Sequence, residues 1–288
     1  MRSGLAGSSG HGSRAEARES EKQRGASTAR RAGRASASKK QSAAIRNILL
    51  KIEYDGTDYS GWQSQNNARS IQDTIEVALK RITGRKARLI SSGRTDAGVH
   101  ALNQTANFKT VSAIPPFKLQ RALNSILPKD IVIKEAREVP LEFHSRFDAK
   151  SKIYRYTIIN GPAASAISRN FTAHIPYKLN FALMKKEAKA LTGRHDFKSF
   201  QAADRIERSS VRTIKKLSAR KKGEKIIIDI EADGFLYNMV RNIAGTLIDI
   251  GRGRLAKGSM ARILKAKNRT LAGETAPAKG LCLIEVKY

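Results

Sequence analysis

The sequence predicts an α+β (α/β) fold made of two similar domains that face each other across a cleft. Three observations lead there. Segments with the two-residue apolar alternation of strands are interleaved with segments of helical periodicity. That rhythm runs once from Ile48 to Phe147 and then starts over. At 288 residues and 40% hydrophobic content, the chain is long enough for one large or two ordinary domains with a real core.

The elements follow in order. Residues 1–44 are rich in Ser, Gly, Ala and Arg, with one Leu and no Phe, Tyr or Trp. Such a segment cannot bury enough apolar area to offset its ordering entropy and is expected to be disordered. It could be a basic RNA-binding arm, an organelle transit peptide or an extension with no role. Structure is expected to begin at N-I-L-L-K-I-E-Y, where Ile48, Leu50, Ile52 and Tyr54 alternate with Leu49, Lys51 and Glu53. A loop, D-G-T-D-Y-S-G-W-Q, comes next. Ser70, with Asp73 three positions on, caps a helix whose stripe is Ile71, Ile75, Ala78, Leu79 and Ile82. Strands are expected at Lys86–Ser91 and Leu102–Phe108, a helix from Pro115-Pro116 with Leu119, Ala122, Leu123 and Ile126 on one face, and a strand at D-I-V-I-K-E-A.

The second half, 148–288, repeats the pattern after the first, 45–147. Ile153–Ile159 is expected as a strand, Phe181–Leu191 as a helix ended by Gly193, and V-R-T-I-K-K-L with K-I-I-I-D-I-E as a hairpin around K-K-G-E-K. Phe235–Ile250 reads as a mostly buried helix, Met260–Lys265 as a short one and Leu281–Val286 as the last strand.

Charge narrows the function. There are 55 Lys plus Arg against 25 Asp plus Glu, a net of +30. The tail holds ten basic and three acidic residues, so the remainder is still near +23. A folded body that positive points to a polyanion, with nucleic acid ahead of an anionic membrane because no helix is clearly basic and amphipathic. No apolar run approaches the roughly 20 residues of a membrane span, and the N-terminus lacks the apolar core of a secretory signal. The single Cys282 excludes an intrachain disulfide and reads as a small strand hydrophobe; a reducing cytoplasm is the expected location.

Several chemistries find no support. His100, His144, His174 and His195 are scattered without zinc-ligand spacing, and neither a nucleophile elbow nor a phosphate-binding P-loop occurs. I-E-Y-D-G-T resembles the aspartyl-phosphate pattern D-x-D-G-T, but Glu53 stands where the nucleophilic Asp belongs, so a turn on Asp55-Gly56 is the simpler reading. Trp62, in a Gly-rich loop, could stack on a base or plug a small core. The run S-G-R-T-D-A-G-V-H-A, Ser92–Ala101, places Arg94 and Asp96 between Gly93 and Gly98. Its plain reading is a salt-bridged turn. Its chemical reading is a carboxylate nucleophile or base, with glycines that let a backbone approach a bulky ligand.

That run resembles the catalytic signature of the TruA family of tRNA pseudouridine synthases. Four more segments are similar to the family in the same order: Y-D-G-T-D-Y-S-G-W-Q at Tyr54–Gln63, F-H-S-R-F-D-A-K-S-K-I-Y-R-Y at Phe143–Tyr156, D-G-F-L-Y-N-M-V-R-N-I-A-G at Asp233–Gly245, and T-A-P-A-K-G-L-C-L. The resemblance implies an isomerase that converts uridine to pseudouridine at positions 38, 39 and 40 of the tRNA anticodon stem-loop, acting as a homodimer without cofactor or metal. It implies two domains, each a mainly antiparallel sheet with helices on one face, with a basic RNA-binding cleft between them. Asp96 is implied as the essential carboxylate, attacking C1′ or removing the C2′ proton. Tyr154 is implied as the active-site tyrosine, with either it or Tyr156 left purely structural. Arg241 is expected to bond Asp96 and depress its pKa. Arg94 is expected to act on RNA. Lys215, Lys216, Arg220, Lys221, Lys222, Lys225, Arg252, Arg254, Lys257, Arg262, Lys265, Lys267 and Arg269 are expected as tRNA grip, each alone a generic cation. A catalytically silent RNA-binding protein is the competing expectation.

Overall fold

Alternation decides the first strand, β1 (Arg46–Tyr54): Ile48, Leu50, Ile52 and Tyr54 enter one core on one face of the sheet. The computed structural model describes residues 44–203 and 209–288. All but the last residue of the tail expected to be disordered therefore lies outside the described residues.

Helix α1 (Ile71–Thr83) starts as its cap predicts: Ser70 Oγ accepts the Asp73 backbone N–H, and Gly84 closes the helix in the left-handed region. The next strand is shorter than expected. Only β2 (Ile90–Ser91) pairs, against β3 (His100–Thr110). β3 in turn begins two residues early, so His100 and Ala101 of the motif are already strand. Helix α2 (Pro116–Ile126) and strand β4 (Ile131–Val139) complete the first half.

The second half supplies β5 (Ser151–Asn160), β6 (Ala173–Ile175), α3 (Phe181–Ala188), β7 (Gly193–Asp196), β8 (Val211–Lys222), β9 (Lys225–Ala232), α4 (Met239–Gly251), α5 (Ser259–Ala266) and β10 (Leu281–Lys287). Two expectations need correction, and two strands were not expected. Gly193 does not cap α3; a 3-10 turn (Lys189–Leu191) follows the helix, and Gly193, at φ 109°, opens β7. Strands β6 and β7 are three and four residues long, too short to show a periodicity. Helix α4 begins at Met239 rather than Phe235, because Asn238 turns the chain at φ 58°.

One mixed, mostly antiparallel sheet runs β4-β1-β3-β10-β5-β9-β8-β7, with β2 and β6 beside it. The C-terminal strand joins the halves: β10 lies parallel to β3 and antiparallel to β5. Its register sets Leu283 beside Ala101 on one side and Tyr154 on the other, while Ala101 pairs with Tyr54. Tyr54, Ala101, Leu283 and Tyr154 thus form one row across the middle of the sheet. The inward residues of β1, β3, β5, β8, β9 and β10 join those of α1 to α5 in one continuous core, so the helices cover one face. The other face carries Arg155 and Arg220 bonded to Asp229. Among the described residues, no helix is long and apolar enough to cross a membrane.

Candidate active site

Residues 92–99 link β2 to β3, and the loop is held from below and from one side. Ser92 N–H donates to Thr105 O (2.8 Å), Ser92 Oγ to Gln104 Oε1 (2.6 Å), and Gln104 Nε2 to Gly93 O (2.9 Å). Trp62 N–H donates to Thr95 O (3.0 Å) and Gly98 N–H to Tyr59 O (3.3 Å), tying the loop to the segment that leads into α1. The Tyr54 hydroxyl bonds Thr95 Oγ1 at 2.7 Å. Trp62 is 1% exposed, so of its two readings the core plug is the one the structure shows.

The two glycines of the motif differ. Gly98 sits at φ 73°, a turn in which Val99 N–H donates to Asp96 O. That backbone favours glycine. Gly93 has no such conformation; a Cβ there would stand 3.5 Å from Lys152 Cε, in ordinary contact.

Asp96 projects from this loop with a side chain 24% exposed. Arg241, in the first turn of α4, faces it at 3.8 Å with its own side chain 17% exposed. That distance makes an ion pair rather than a hydrogen bond. The guanidinium is held by two other bonds, Nη1 to Asn238 Oδ1 (2.9 Å) and Nε to Ala276 O (2.9 Å). Asn238 owes this reach to its left-handed backbone: its side chain makes no cap bond to α4 and accepts from Arg241 instead. The segment 273–278 lies against α4, with Ala276 N–H donating to Arg241 O.

One electrostatic expectation is overturned. Burial, the largest effect, pushes the Asp96 carboxyl above the usual carboxylate range; Arg241 opposes this but does not reverse it. The guanidinium limits the rise instead of producing a depressed pKa.

Tyr154 is 8% exposed, and its ring meets Phe235 edge-on at 5.0 Å. No described residue hydrogen-bonds its hydroxyl. Tyr156, two residues on, is different: its hydroxyl donates to Pro277 O (2.9 Å), and its ring blocks any side chain at Gly280. Tyr156 is thus tied into the fold by both ring and hydroxyl, Tyr154 by its ring. Arg94 is exposed and makes no ion pair with Asp96, which excludes the salt-bridged turn.

The basic set divides. Lys215, Lys216, Lys221, Lys222 and Lys225 are exposed along the β8–β9 hairpin. Others are committed within the fold. Arg220 pairs with Asp229, Arg254 with Asp249 and Lys267 with Asp196. Arg269 bonds Asn242, Thr275 and the carbonyls of Ala272 and Gly273, which makes it an internal strut. Cys282 is the second residue of β10, and burial pushes its thiol up to about 12, so it remains protonated. Among the described residues, no group of three or more His, Cys, Asp or Glu side chains could hold a metal ion.

Sequence reasoning missed Asn238, Ala276 and Pro277. Their signal was present in the late-helix and C-terminal segments, where Arg241 alone carried an expected role. Two of the three act through backbone carbonyls, which side-chain chemistry does not reveal.

Comparison with known proteins sharpens the picture. A family model described as tRNA pseudouridine synthase matches residues 51–148 and 188–288. The chain is 49% identical over 244 residues to "tRNA pseudouridine synthase A" of Acetivibrio thermocellus, covering 85% of this chain and 100% of that one. The enzymes of the same name from Thermoanaerobacter sp. (48%) and Clostridium acetobutylicum (46%) align over the same shares. A solved archaeal box H/ACA sRNP Nop10–Cbf5 complex aligns with a TM-score of 0.33 at 10% identity, over 82% of this chain and 48% of that one, too loosely to carry an argument.

Proposed function

Because this chain belongs to the tRNA pseudouridine synthase family, we propose that it isomerises uridine to pseudouridine in the anticodon stem-loop of tRNA, at positions 38, 39 and 40. The observation that carries the reading is the meeting of Asp96 with Arg241, 3.8 Å apart, on the same side of the sheet as Tyr154. They come from the β2–β3 loop, the start of α4 and the middle of β5, elements of both halves.

The chemistry suits the place. The uracil is detached at N1, turned, and rejoined to the ribose C1′ through C5, with the C5 proton lost and N1 protonated. Asp96 is the reactive carboxylate, either bonding C1′ as the base leaves or taking the C2′ proton. Both routes need it ionised where water, which would capture the detached sugar, is kept out. Arg241 supplies the ion pair that offsets the cost of burying that charge. Tyr154 offers the extruded uracil a ring and a hydroxyl that has no hydrogen-bond partner among the described residues. Stacking of this kind is worth about 1–3 kcal/mol per base. Arg94, exposed on the same loop, holds RNA or fills the place of the flipped nucleotide.

The exposed lysines of the β8–β9 hairpin grip phosphate, so binding falls steeply with salt. The enzyme works in the cytoplasm as a homodimer of two-domain subunits, divided near residue 147, with tRNA lying across both. In a eukaryotic source the basic tail would instead direct it to an organelle. The test is pseudouridine mapping on an unmodified tRNA transcript. Product confined to the anticodon arm supports the reading, and none from the wild-type protein overturns it.

A further inference from the structure

Lys152 is a half-buried cation without a hydrogen-bond or ion-pair partner among the described residues. It lies on β5 two residues before Tyr154, on the same side of that strand. A two-residue step along a strand is about 6.6 Å. Its Cε and Nζ stand 3.5 and 3.9 Å from the point that a Cβ on Gly93 would occupy, next to the loop that bears Arg94 and Asp96. Among the described residues, no group accepts a hydrogen bond from its ammonium and no carboxylate lies within ion-pair distance. Among the described residues, Arg146 from the segment before β5 and Arg212 from β8 oppose its charge, and Asp233, after β9, favours it. Arg212 Nη1 donates to the carbonyls of Ser209 and Val211, which helps fix its guanidinium there. Burial and the two arginines pull the Lys152 ammonium below the usual lysine range.

A half-buried cation costs free energy unless something pairs with it. An anion entering from the open side would relieve that cost. We propose that Lys152, flanked by Arg146 and Arg212, is a phosphate seat at the edge of the active site, taking the phosphodiester that flanks the target uridine. The inference rests on the proposed RNA substrate and deepens it. One strand would then hold the nucleotide at two points, base at Tyr154 and backbone at Lys152, with Asp96 reaching the ribose between them. The seat differs from the hairpin lysines, which lie exposed. Beyond adding one phosphate contact to binding, its role is to position the reacting nucleotide.

The test uses full-length tRNA assembled by ligation, with a single uncharged methylphosphonate on the 5′ or the 3′ side of the target uridine. Wild type, Lys152→Ala and Lys152→Arg are compared. Lys152→Ala is expected to lower kcat/KM about 10- to 100-fold, the range of a charge-assisted hydrogen bond. Its melting temperature should not fall, because the substitution removes a half-buried charge, and Lys152→Arg should recover most of the rate. The log–log salt slope of tRNA binding should flatten by about 0.7–0.9, the signature of one lost phosphate contact. The neutral linkage at one flank should slow wild type similarly and Lys152→Ala hardly at all. Multiplicative losses from the substitution and the linkage would overturn the seat. So would a wild-type enzyme indifferent to the neutral linkage at both flanks, a result that needs no variant to fold. If wild type makes no pseudouridine at all, the proposed reaction fails instead, and the salt slope of Lys152→Ala still tests the seat.

Discussion

Arg241 stands 3.8 Å from Asp96, whereas Arg94, two positions from Asp96 in the chain, points into solvent and leaves it alone. The nearest cation in sequence is thus not the one that governs the carboxylate. Burial raises the Asp96 carboxyl and Arg241 holds the rise in check. The acid limb of kcat should therefore lie above the ordinary carboxylate value of about 3.9. Arg241→Ala removes the opposing charge, so the limb should move to still higher pH and the rate at neutral pH should fall at least about tenfold. Rates of pseudouridine formation across pH check this; an unmoved limb would show that another group sets it.

Asn238 aims that arginine from a left-handed backbone. Asn238→Gly keeps the backbone easy and removes the acceptor; Asn238→Ala removes the acceptor and adds about 1–2 kcal/mol of left-handed strain. Both should shift the acid limb in the direction of Arg241→Ala, while Asn238→Ala should melt lower. Equal melting temperatures would contradict the strain, and unshifted profiles would contradict the aiming.

The two tyrosines of β5 should separate in stability. Tyr156→Phe leaves Pro277 O without its donor and should cost about 1 kcal/mol in chemical denaturation. Tyr154→Phe removes a hydroxyl that no described residue bonds and should cost nothing measurable. Tyr154→Leu should fold normally but lose about 5- to 150-fold in rate, the equivalent of one base stack.

Asp96→Asn should be at least as stable as wild type at pH 7. The folded carboxyl binds its proton more tightly than the unfolded one, so ionising it as pH rises past the usual carboxylate range costs stability. The substitution removes that cost. Its melting temperature should exceed wild type at pH 7, and the gain should shrink as pH falls through about 4. A lower melting temperature at pH 7 would mean that the ion pair outweighs the burial.

Much of this architecture could be read from the residues because the signals were local. Ser70 and Pro116 mark helix starts by chemistry confined to one turn, and β1 shows its inward face by simple alternation. What stayed hidden was non-local or too short. Strands β6 and β7 are defined only by their neighbours. The start of α4 was misplaced because Phe235 and Leu236 continue an apolar helical pattern that Asn238 interrupts with its backbone alone. The meeting of Asp96 with Arg241 could be expected from the motifs, but the sign of the shift at Asp96 could not, since burial is a property of the whole fold.

The most direct measurement is pseudouridine scored by position in an unmodified tRNA transcript after incubation with wild type and with Asp96→Asn, alongside tRNA binding by both. The account predicts pseudouridine in the anticodon arm from wild type, none from Asp96→Asn, and binding by both, because grip and chemistry reside in different residues. Equal product from Asp96→Asn would contradict it.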